Sequence, residues 1–396
     1  MTALIGVYNA NRVYVYRYTN GSWTASLLLV DLGQGVNDQF GAALALSRDG
    51  KFALVCAPGA RKGYVYNISS GLTLVATLTS PSGLLGDDFC ASAALPGTGD
   101  LAVIGAPLAK VGTVREAGAV YVYTPASNGI WSNTAVAITE PGGAVQNDSF
   151  GNSLALSSDG SKLLVGALFA KVGGIASGKV YLLDLKGGIG TLSQEFDDPA
   201  GGSDVYGWAL ALAADGSRVL VAAPFTSVSG AGASGQAYIY TLNGGSWGAP
   251  QVFSDTQSSV GQFGGSVALT ADGNLVLIGE PSGDKAFTAS FASGSWSKLK
   301  KLTDPVNSPV DAFGVVGLSG SGNVAFIGAP NTRSLGIPNV GMVYEYGLPS
   351  KTCTSNCGGG SSGYGTGKGG YPLLVLLALL GMVAGRRRGM GLRIKG

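Results

Sequence analysis

One motif recurs six times along this 396-residue chain and limits what the chain can fold into. The third residue of each copy is aromatic, and the copy closes on Pro or Leu 17 or 18 residues after it. The first copy reads DQFGAALALSRDGKFALVCAP and covers residues 38–58. So constant a spacing predicts a repeat architecture, in which each copy folds as one structural unit. The six aromatic residues are Phe40, Phe89, Phe150, Tyr206, Phe263 and Phe313.

The segments within each copy alternate apolar and polar residues, as antiparallel strands do. A head segment and a second apolar segment flank a turn, which is Asp-Gly in four copies. A third segment such as GAVYVY (118–123) follows, and several copies continue through a Gly-x-Trp turn into a fourth. Four strands per repeat are typical of a propeller blade. The sequence therefore predicts an all-β fold, a β-propeller of four-stranded antiparallel blades over residues 1–348.

The N-terminus holds part of a further blade. ALIGVY (3–8), RVYVYRY (12–18) and GSW (21–23) match strands two and three and the turn before strand four, with no head before them. We therefore expect seven blades, the first without its first strand; six blades closed by an N-terminal strand are the alternative. MTALIG enters a strand directly without a signal peptide, which favours a start that has lost its upstream portion.

The FG…GAP…GxVYVY pattern resembles FG-GAP repeats, which form the propeller of integrin α-subunits and of many surface proteins. The resemblance covers residues 1 to about 348. It implies a propeller whose two-three and four-one loops, named by the strands they connect, share a face that binds partners. It is less specific for function, because one architecture supports many activities.

By the same resemblance, many FG-GAP repeats bind calcium in the loop between strands one and two. Calcium takes about six to eight oxygen ligands, whereas each corresponding loop here has at most one carboxylate. Basic residues such as Arg48 and Lys51 also lie beside the carboxylate. We therefore predict no metal site and no cofactor, and interpret Asp-Gly as a tight hairpin turn.

Charge and composition narrow the function further. Histidine is absent, which weakens hypotheses that need a near-neutral acid–base group, a His-ligated zinc ion or a Ser-His triad. Residues 1–350 carry 18 basic and 23 acidic side chains, because seven of the 25 basic residues lie after position 350. A mildly acidic body does not suit a nucleic-acid partner. We therefore expect a protein that is not an enzyme and does not bind nucleic acid.

The candidate ligand contacts lie in the two-three loops. This loop is GARK (59–62) in the first full copy, but nine or ten residues long in four others. Basic residues recur three positions after the end of strand two, and on a propeller they would form a ring that attracts an anionic partner. Pairing with acidic residues of the four-one loops is the alternative, and it is the favoured one. The candidate residues are Arg61, Lys110, Lys171 and Arg333.

The composition changes after Pro349. Residues 349–370 form a Gly/Ser-rich linker, 371–385 a hydrophobic segment and 386–396 a basic tail. At 15 residues the hydrophobic segment is short for a membrane span, which wants about 20. The order of linker, hydrophobic segment and arginine cluster nevertheless resembles bacterial C-terminal sorting and anchoring signals. Because positive charge favours the cytoplasmic side of a membrane, the arginines after the hydrophobic segment predict that the propeller lies outside the cell.

The four cysteines fall into two pairs. Cys56 and Cys90 replace small residues of the repeat and are interpreted as buried core thiols. Cys353 and Cys357 lie in the polar tail and could close a small disulfide loop after export.

Together these features predict a non-catalytic surface protein, anchored at its C-terminus, that binds a protein or glycan partner, including anionic ones, through its loop face. An exported enzyme or enzyme subunit acting on a polysaccharide, and a purely structural surface protein, are the alternatives.

Overall fold

The computed structural model describes residues 1–348, apart from 32, 34, 36, 85, 127, 229–231, 259, 306–310 and 333–340. It also describes the backbone of Leu374–Leu379. The predicted linker, the basic tail, Cys353, Cys357 and Arg333 lie outside these residues, as does most of the hydrophobic segment.

Seven sheets form the blades of a β-propeller, which confirms the prediction of seven rather than six. Strands follow the chain from the inner to the outer edge of each blade, because short turns allow only neighbouring strands to pair. Blade 1 contains β1 (Thr2–Val7), β2 (Arg12–Thr19) and β3 (Ser22–Val30); blade 2, β4 (Leu44–Leu46), β5 (Phe52–Ala57), β6 (Lys62–Asn67) and β7 (Thr73–Thr79); blade 3, β8 (Ser92–Ala94), β9 (Ala102–Ala106), β10 (Ala119–Pro125) and β11 (Trp131–Ile138).

The later blades vary more in their outer strands and connections. Blade 4 contains β12 (Phe150–Leu156), β13 (Lys162–Ala167), β16 (Lys179–Lys186) and β17 (Ile189–Asp197), with β14 (Lys171–Val172) and β15 (Ile175–Ala176) as a separate small hairpin; blade 5, β18 (Leu210–Leu212), β19 (Arg218–Ala223), β20 (Gln236–Asn243), β21 (Ser246–Trp247) and β22 (Gln251–Phe253); blade 6, β23 (Ser266–Leu269), β24 (Leu275–Glu280), β25 (Lys285–Ala292), β26 (Ser295–Trp296) and β27 (Lys300–Leu302); blade 7, β28 (Val315–Leu318), β29 (Val324–Ala329) and β30 (Met342–Gly347). Two 3-10 turns, Tyr8–Ala10 and Pro281–Gly283, serve as two-three connections.

Blade 1 lacks a first strand from the N-terminal part of the chain, as the sequence predicts. The inner edge of β1 is covered instead by β31 (Leu374–Leu379), which runs parallel to β1 from the Thr2–Leu374 pair to the Val7–Leu379 pair. Every other pairing between blade strands in the described residues is antiparallel. The ring closes between blades 7 and 1, where Trp23 packs edge-on against Phe326 with ring centroids 5.1 Å apart.

The aromatic residue at each motif head holds a blade together. All six heads are completely buried. Each ring packs against an aromatic residue of the third strand of its own blade, with centroids 5.5–5.9 Å apart. Such pairs add to the burial of apolar area, so the constant spacing of the heads reflects a constant packing site.

The two glycines of the motif bring adjacent blades close together. A Cβ atom on Gly105, at the end of β9, would lie 2.0 Å from the carbonyl oxygen of Gly151 in blade 4. In the same way, a Cβ atom on Gly166 would lie 2.7 Å from the carbonyl oxygen of Gly207 in blade 5. Only glycine allows the backbones to approach this closely.

Cys56 and Cys90 occupy these two glycine positions at the interface of blades 2 and 3. They are joined by a buried disulfide bond, so the prediction of two core thiols is wrong. Cys90 also has a positive φ of 72°, close to the values near 90° of the glycines it replaces, such as Gly151. The disulfide therefore takes the place of a glycine–glycine contact, because both residues already lie at closest approach.

The Asp-Gly segments are turns, as predicted. In the loop after β4, Asp49 accepts hydrogen bonds from Ser47 Oγ (2.6 Å) and from the backbone N–H of Lys51 (3.0 Å), and Gly50 has a φ of 71°. Asp159 makes the same contacts with Ser157 and Ser161 in blade 4. These carboxylates are thus part of the turn.

Across the part of the chain that the structure describes, none of the helices has the length and apolar character needed to span a bilayer.

Candidate ligand-binding face

The two-three and four-one loops lie on one face of the propeller, which we call the upper face. Blades 3, 4 and 5 carry long two-three hairpins and form the raised half of this face. A pair of hydrogen bonds between Val111 and Val114 closes the first hairpin, β14 and β15 form the second, and a bridge between Ser227 and Ala233 closes the third. Blades 1, 2 and 6 have short turns and form the low half. In blade 7 most of this loop lies outside the described residues.

Each long hairpin is anchored to the next blade at its end. The backbone N–H of the next aromatic head donates to a carbonyl of the hairpin: Phe150 to Ala117 (3.0 Å), Tyr206 to Ser177 (2.8 Å) and Phe263 to Ser234 (2.8 Å). A buried N–H group needs such a partner. These bonds hold the hairpin bases in fixed positions.

Side chains take over this role in the low half. Phe40 N–H donates to Asn11 Oδ1 (3.0 Å), Phe89 N–H to Asp87 Oδ1 (3.2 Å) and Phe313 N–H to Asp284 Oδ1 (3.2 Å). The backbone N–H of the aromatic head is thus bonded to a main-chain carbonyl in the raised half and to a side-chain oxygen in the low half. Only the raised half projects a hairpin above this bond.

The structure separates the four predicted ligand contacts. Arg61 lies in the short turn of blade 2, with its Nε atom 3.4 Å from Oδ1 of Asp87, a carboxylate that is 2% exposed. Lys110 and Lys171 are exposed on the hairpins of blades 3 and 4, without an ion pair within 4 Å among the described residues. Arg333 lies outside those residues. Local pairing therefore applies to Arg61, while Lys110 and Lys171 are oriented toward solvent.

Sequence reasoning missed the apolar residues at the base of the raised half. The residue after the motif is Leu108 in blade 3, Phe169 in blade 4 and Phe225 in blade 5, and all three are partly exposed. At this position blades 2, 6 and 7 have Gly59, Ser282 and Asn331. The difference is visible when the copies are aligned, but only the fold shows that the position faces the upper surface.

A tryptophan completes this apolar group. Trp208 follows the motif glycine at the start of blade 5, is partly exposed and packs edge-on against Phe225 with centroids 5.7 Å apart. The other heads have Ala42, Ala91, Asn152, Gly265 and Val315 at this position.

Acidic residues of the four-one loops lie beneath the surface. Glu140 and Asp148, which flank the loop between blades 3 and 4, are 6% and 4% exposed. Burial raises the pKa of Glu140 to about 7, although Tyr181 donates a hydrogen bond of 2.7 Å to its Oε1. Burial also raises the pKa of Asp148, Asp198 and Asp204, because the charged form loses solvation. These carboxyl groups support the loops and are not accessible to a large ligand.

In blade 6 a glutamate from the end of the second strand, Glu280, takes the place of the aspartate that precedes the aromatic head in the other copies. Five motif copies have Asp two residues before the aromatic head, whereas blade 6 has Gly261 there. A Cβ atom on Gly261 would lie 1.6 Å from Oε1 of Glu280 at the end of β24. The Glu280 carboxylate thus occupies the space of the missing aspartate, completely buried and 3.6 Å from Lys285 Nζ. Burial raises the pKa of Glu280 to about 7.

Within the described residues, no three His, Cys, Asp or Glu side chains are placed to hold a metal ion together. A cavity of about 370 Å³ lies away from the upper face, between the outer parts of blades 4 and 5, with Gln194, Leu242 and Trp247 in its wall. Its lining includes Lys162, which forms an ion pair of 2.7 Å with Asp184.

Residues 132–183, from β11 to β16, match the FG-GAP repeat family. None of the curated proteins compared with the chain matches it.

Several solved structures share the fold at low sequence identity. A functionally unknown protein from Desulfotomaculum acetoxidans has a TM-score of 0.53 at 15% identity, covering 83% of this chain and 88% of that one. Kuenenia stuttgartiensis hydrazine synthase has a TM-score of 0.54 at 12% identity, covering 87% of this chain and 95% of that one. The Cps50 (Swd1) β-propeller domain of Myceliophteria thermophila has a TM-score of 0.56 at 12% identity, covering 88% of this chain and 96% of that one. At such identities the likeness concerns the fold alone. The chain is thus a seven-bladed β-propeller in which residues 132–183 match the FG-GAP repeat family.

Proposed function

We propose that this protein is a non-catalytic binding protein of the cell surface or extracellular space, and that it recognises a protein or glycan through the raised half of its upper face. The observation that carries the proposal is the asymmetry of this face. Three adjacent blades have long hairpins with fixed bases, while blades 1, 2 and 6 end in short turns. Binding residues are often placed on loops that a rigid scaffold positions.

Two further features support the proposal. The buried disulfide between Cys56 and Cys90 suits an exported protein, because disulfides persist in oxidising compartments. Four acidic residues of the four-one loops, Glu140, Asp148, Asp198 and Asp204, are buried, which favours binding over hydrolysis of a polysaccharide.

Membrane attachment through residues 371–385 remains part of the proposal. Leu374–Leu379 belongs to this segment and lies along β1. Because the same residues cannot pair with β1 and span a bilayer at once, the proposal concerns a state in which this segment has left β1. Fractionation of the exported full chain tests the anchor. The full chain should sediment with membranes and its Leu376→Asp variant should not; a full chain that stays in the soluble fraction would remove the anchor.

Binding itself is tested on an array of glycans and extracellular proteins. The full chain is compared with a variant in which residues 169–177 are replaced by Gly-Ala-Arg-Lys, the connection of blade 2. We expect the variant to lose at least about tenfold in affinity for the ligands of the full chain, which is about 1.4 kcal/mol. A matched control replaces Ser69–Gly71, on the opposite face of blade 2, by three alanines. Unchanged binding of the hairpin variant would contradict the proposal.

A further inference from the structure

We propose that the raised half binds an anionic polysaccharide, whose sugar rings stack on Phe169, Phe225 and Trp208 and whose acidic groups pair with Lys110, Arg115 and Lys171. This inference rests on the proposed function and specifies its ligand.

Three independent features coincide on the same blades. Blades 3, 4 and 5 have the long hairpins, the large apolar residues at the hairpin bases and, in blades 3 and 4, an exposed lysine two residues further on. Blade 2 has a short turn, Gly59 at the base position and an Arg61 that is held by Asp87. The aromatic heads, which serve the fold, recur in six blades, whereas these exposed features are confined to adjacent blades.

The aromatic residues supply surfaces for stacking. Phe169 and Phe225 occupy equivalent positions on neighbouring blades and are partly exposed, and Trp208 packs against Phe225 at an interplanar angle of 83°. Because the two rings are almost perpendicular, they present surfaces in different directions at the inner end of blade 5. A sugar ring has an apolar C–H face and polar edges, which suits a partly exposed aromatic side chain among polar groups.

The surrounding charge is positive. The hairpins of blades 3 and 4 and the loop between them (108–118, 169–178 and 139–149) contain the basic residues Lys110, Arg115 and Lys171. They also contain three acidic residues, of which Glu140 and Asp148 are buried and only Glu116 is exposed. The backbone of Arg115 contacts that of Asn147 in this loop, and the carbonyl of Asp148 accepts a hydrogen bond from Phe169 N–H. The two hairpins therefore flank one loop, and their cations lie on its two sides. Carboxylate or sulfate groups along a polymer would find complementary charge here.

The repetition of the features favours a polymer of repeating units over an acidic protein. An apolar base residue followed by a lysine occurs at the same positions of two neighbouring blades, so the face offers similar contacts at the blade spacing. The exposed large apolar residues here are Val145 at 46%, in the loop between blades 3 and 4, and Ile175 at 48%, in the hairpin of blade 4. A protein interface usually has a continuous apolar centre.

The test is affinity electrophoresis and calorimetry of the full chain with four probes: polygalacturonate, dextran sulfate, neutral dextran and polyglutamate. We expect binding to polygalacturonate or dextran sulfate, the two arms separating carboxylate from sulfate recognition, and none to neutral dextran. Trp208→Ala should weaken binding at least about tenfold, and Lys110→Gln with Lys171→Gln by a similar factor that shrinks as salt is added. Thermal melts show whether each variant is folded, and Phe169→Leu repeats the aromatic test with a milder change.

The control is Lys298→Gln with Lys300→Gln, two exposed lysines at the outer edge of blade 6. It should bind as the original chain does. Binding that survives loss of Trp208 in a folded variant, equal loss in the lysine control, or polyglutamate bound as tightly as the sugars would overturn the inference. If no polysaccharide binds but a protein ligand still depends on residues 169–177, the inference fails while the proposed function stands.

Discussion

The blade interfaces and the upper face of this propeller follow opposite rules. In the scaffold the same contacts recur from blade to blade. A fully buried aromatic head packs 5.5–5.9 Å from a ring of the third strand of its own blade, and two backbones approach closely between neighbouring blades. On the upper face the equivalent positions differ in loop length, charge and aromatic content. Repetition therefore identifies the scaffold, and departures that cluster on one exposed face identify the surface to which we assign a separate role.

The largest effect is expected at the interface where cysteines replace both motif glycines. Replacing Cys56 by Ala and Cys90 by Gly removes the disulfide and restores glycine at the position with positive φ. The bond joins residues 34 apart in sequence, and a loop of that size corresponds to about 4 kcal/mol of unfolding free energy. Denaturant unfolding should show a loss of roughly 2–4 kcal/mol. The variant Cys56→Ser/Cys90→Ser should lose more, because Ser keeps a side chain at a φ that favours glycine. Equal stability of the original and reduced chains would contradict this account.

A glycine contact should give the next largest effect. Gly105→Ala places a methyl group 2.0 Å from the Gly151 carbonyl oxygen and 2.2 Å from Ser92 Oγ, so blades 3 and 4 must move apart. We expect a loss of about 3 kcal/mol of unfolding free energy. Gly71→Ala is the matched control, since nothing lies within 4 Å of its added methyl group. Two melting curves that shift equally would show that the close approach is not required.

The buried acidic groups give a smaller, pH-dependent effect. The folded-state pKa of Glu280 is raised to about 7 from its ordinary value of 4.5, so its contribution to stability is present below pH 4.5 and is lost as the pH rises through 7. Glu280→Gln should therefore stabilise the chain by roughly 1–3 kcal/mol at pH 8 and change little at pH 4. Chemical unfolding at both pH values measures this. A variant that is less stable at pH 8 would show that the ion pair with Lys285 outweighs the cost of burial.

The sequence predicted most of the scaffold and little of the interface chemistry. Within a blade, short turns and alternating residues determine which strands pair, so the aromatic heads and the Asp-Gly turns could be assigned from the motif alone. Contacts between blades could not be predicted from the motif. Cys56 and Cys90 each replace a motif glycine, but only the fold shows that these glycines meet across an interface. Likewise, the Glu280 carboxylate fills the space that an aspartate side chain would occupy at position 261, where this chain has glycine. The two positions are 19 residues apart. An alignment of the copies therefore shows the glycine and the glutamate as two unrelated substitutions.

The candidate face was predicted in part for the same reason. Loop lengths pointed to the two-three loops, and Lys110 and Lys171 are exposed there. The pairing of Arg61 with Asp87 depends on a contact between blades. The base residues Leu108, Phe169 and Phe225 were overlooked because an apolar residue next to a strand end normally belongs to the core.

One paired measurement tests the central distinction most directly. Melting temperature and array binding are determined for the interface variant Gly105→Ala and for the face variant with Gly-Ala-Arg-Lys in place of residues 169–177. The interface variant should melt well below the original chain but keep its ligands when folded. The face variant should fold, with a smaller drop in melting temperature because the carbonyl that accepts the Tyr206 N–H is replaced, and should lose those ligands. A face variant that keeps its ligands, or an interface variant that loses them while folded, would contradict the separation of scaffold and binding surface.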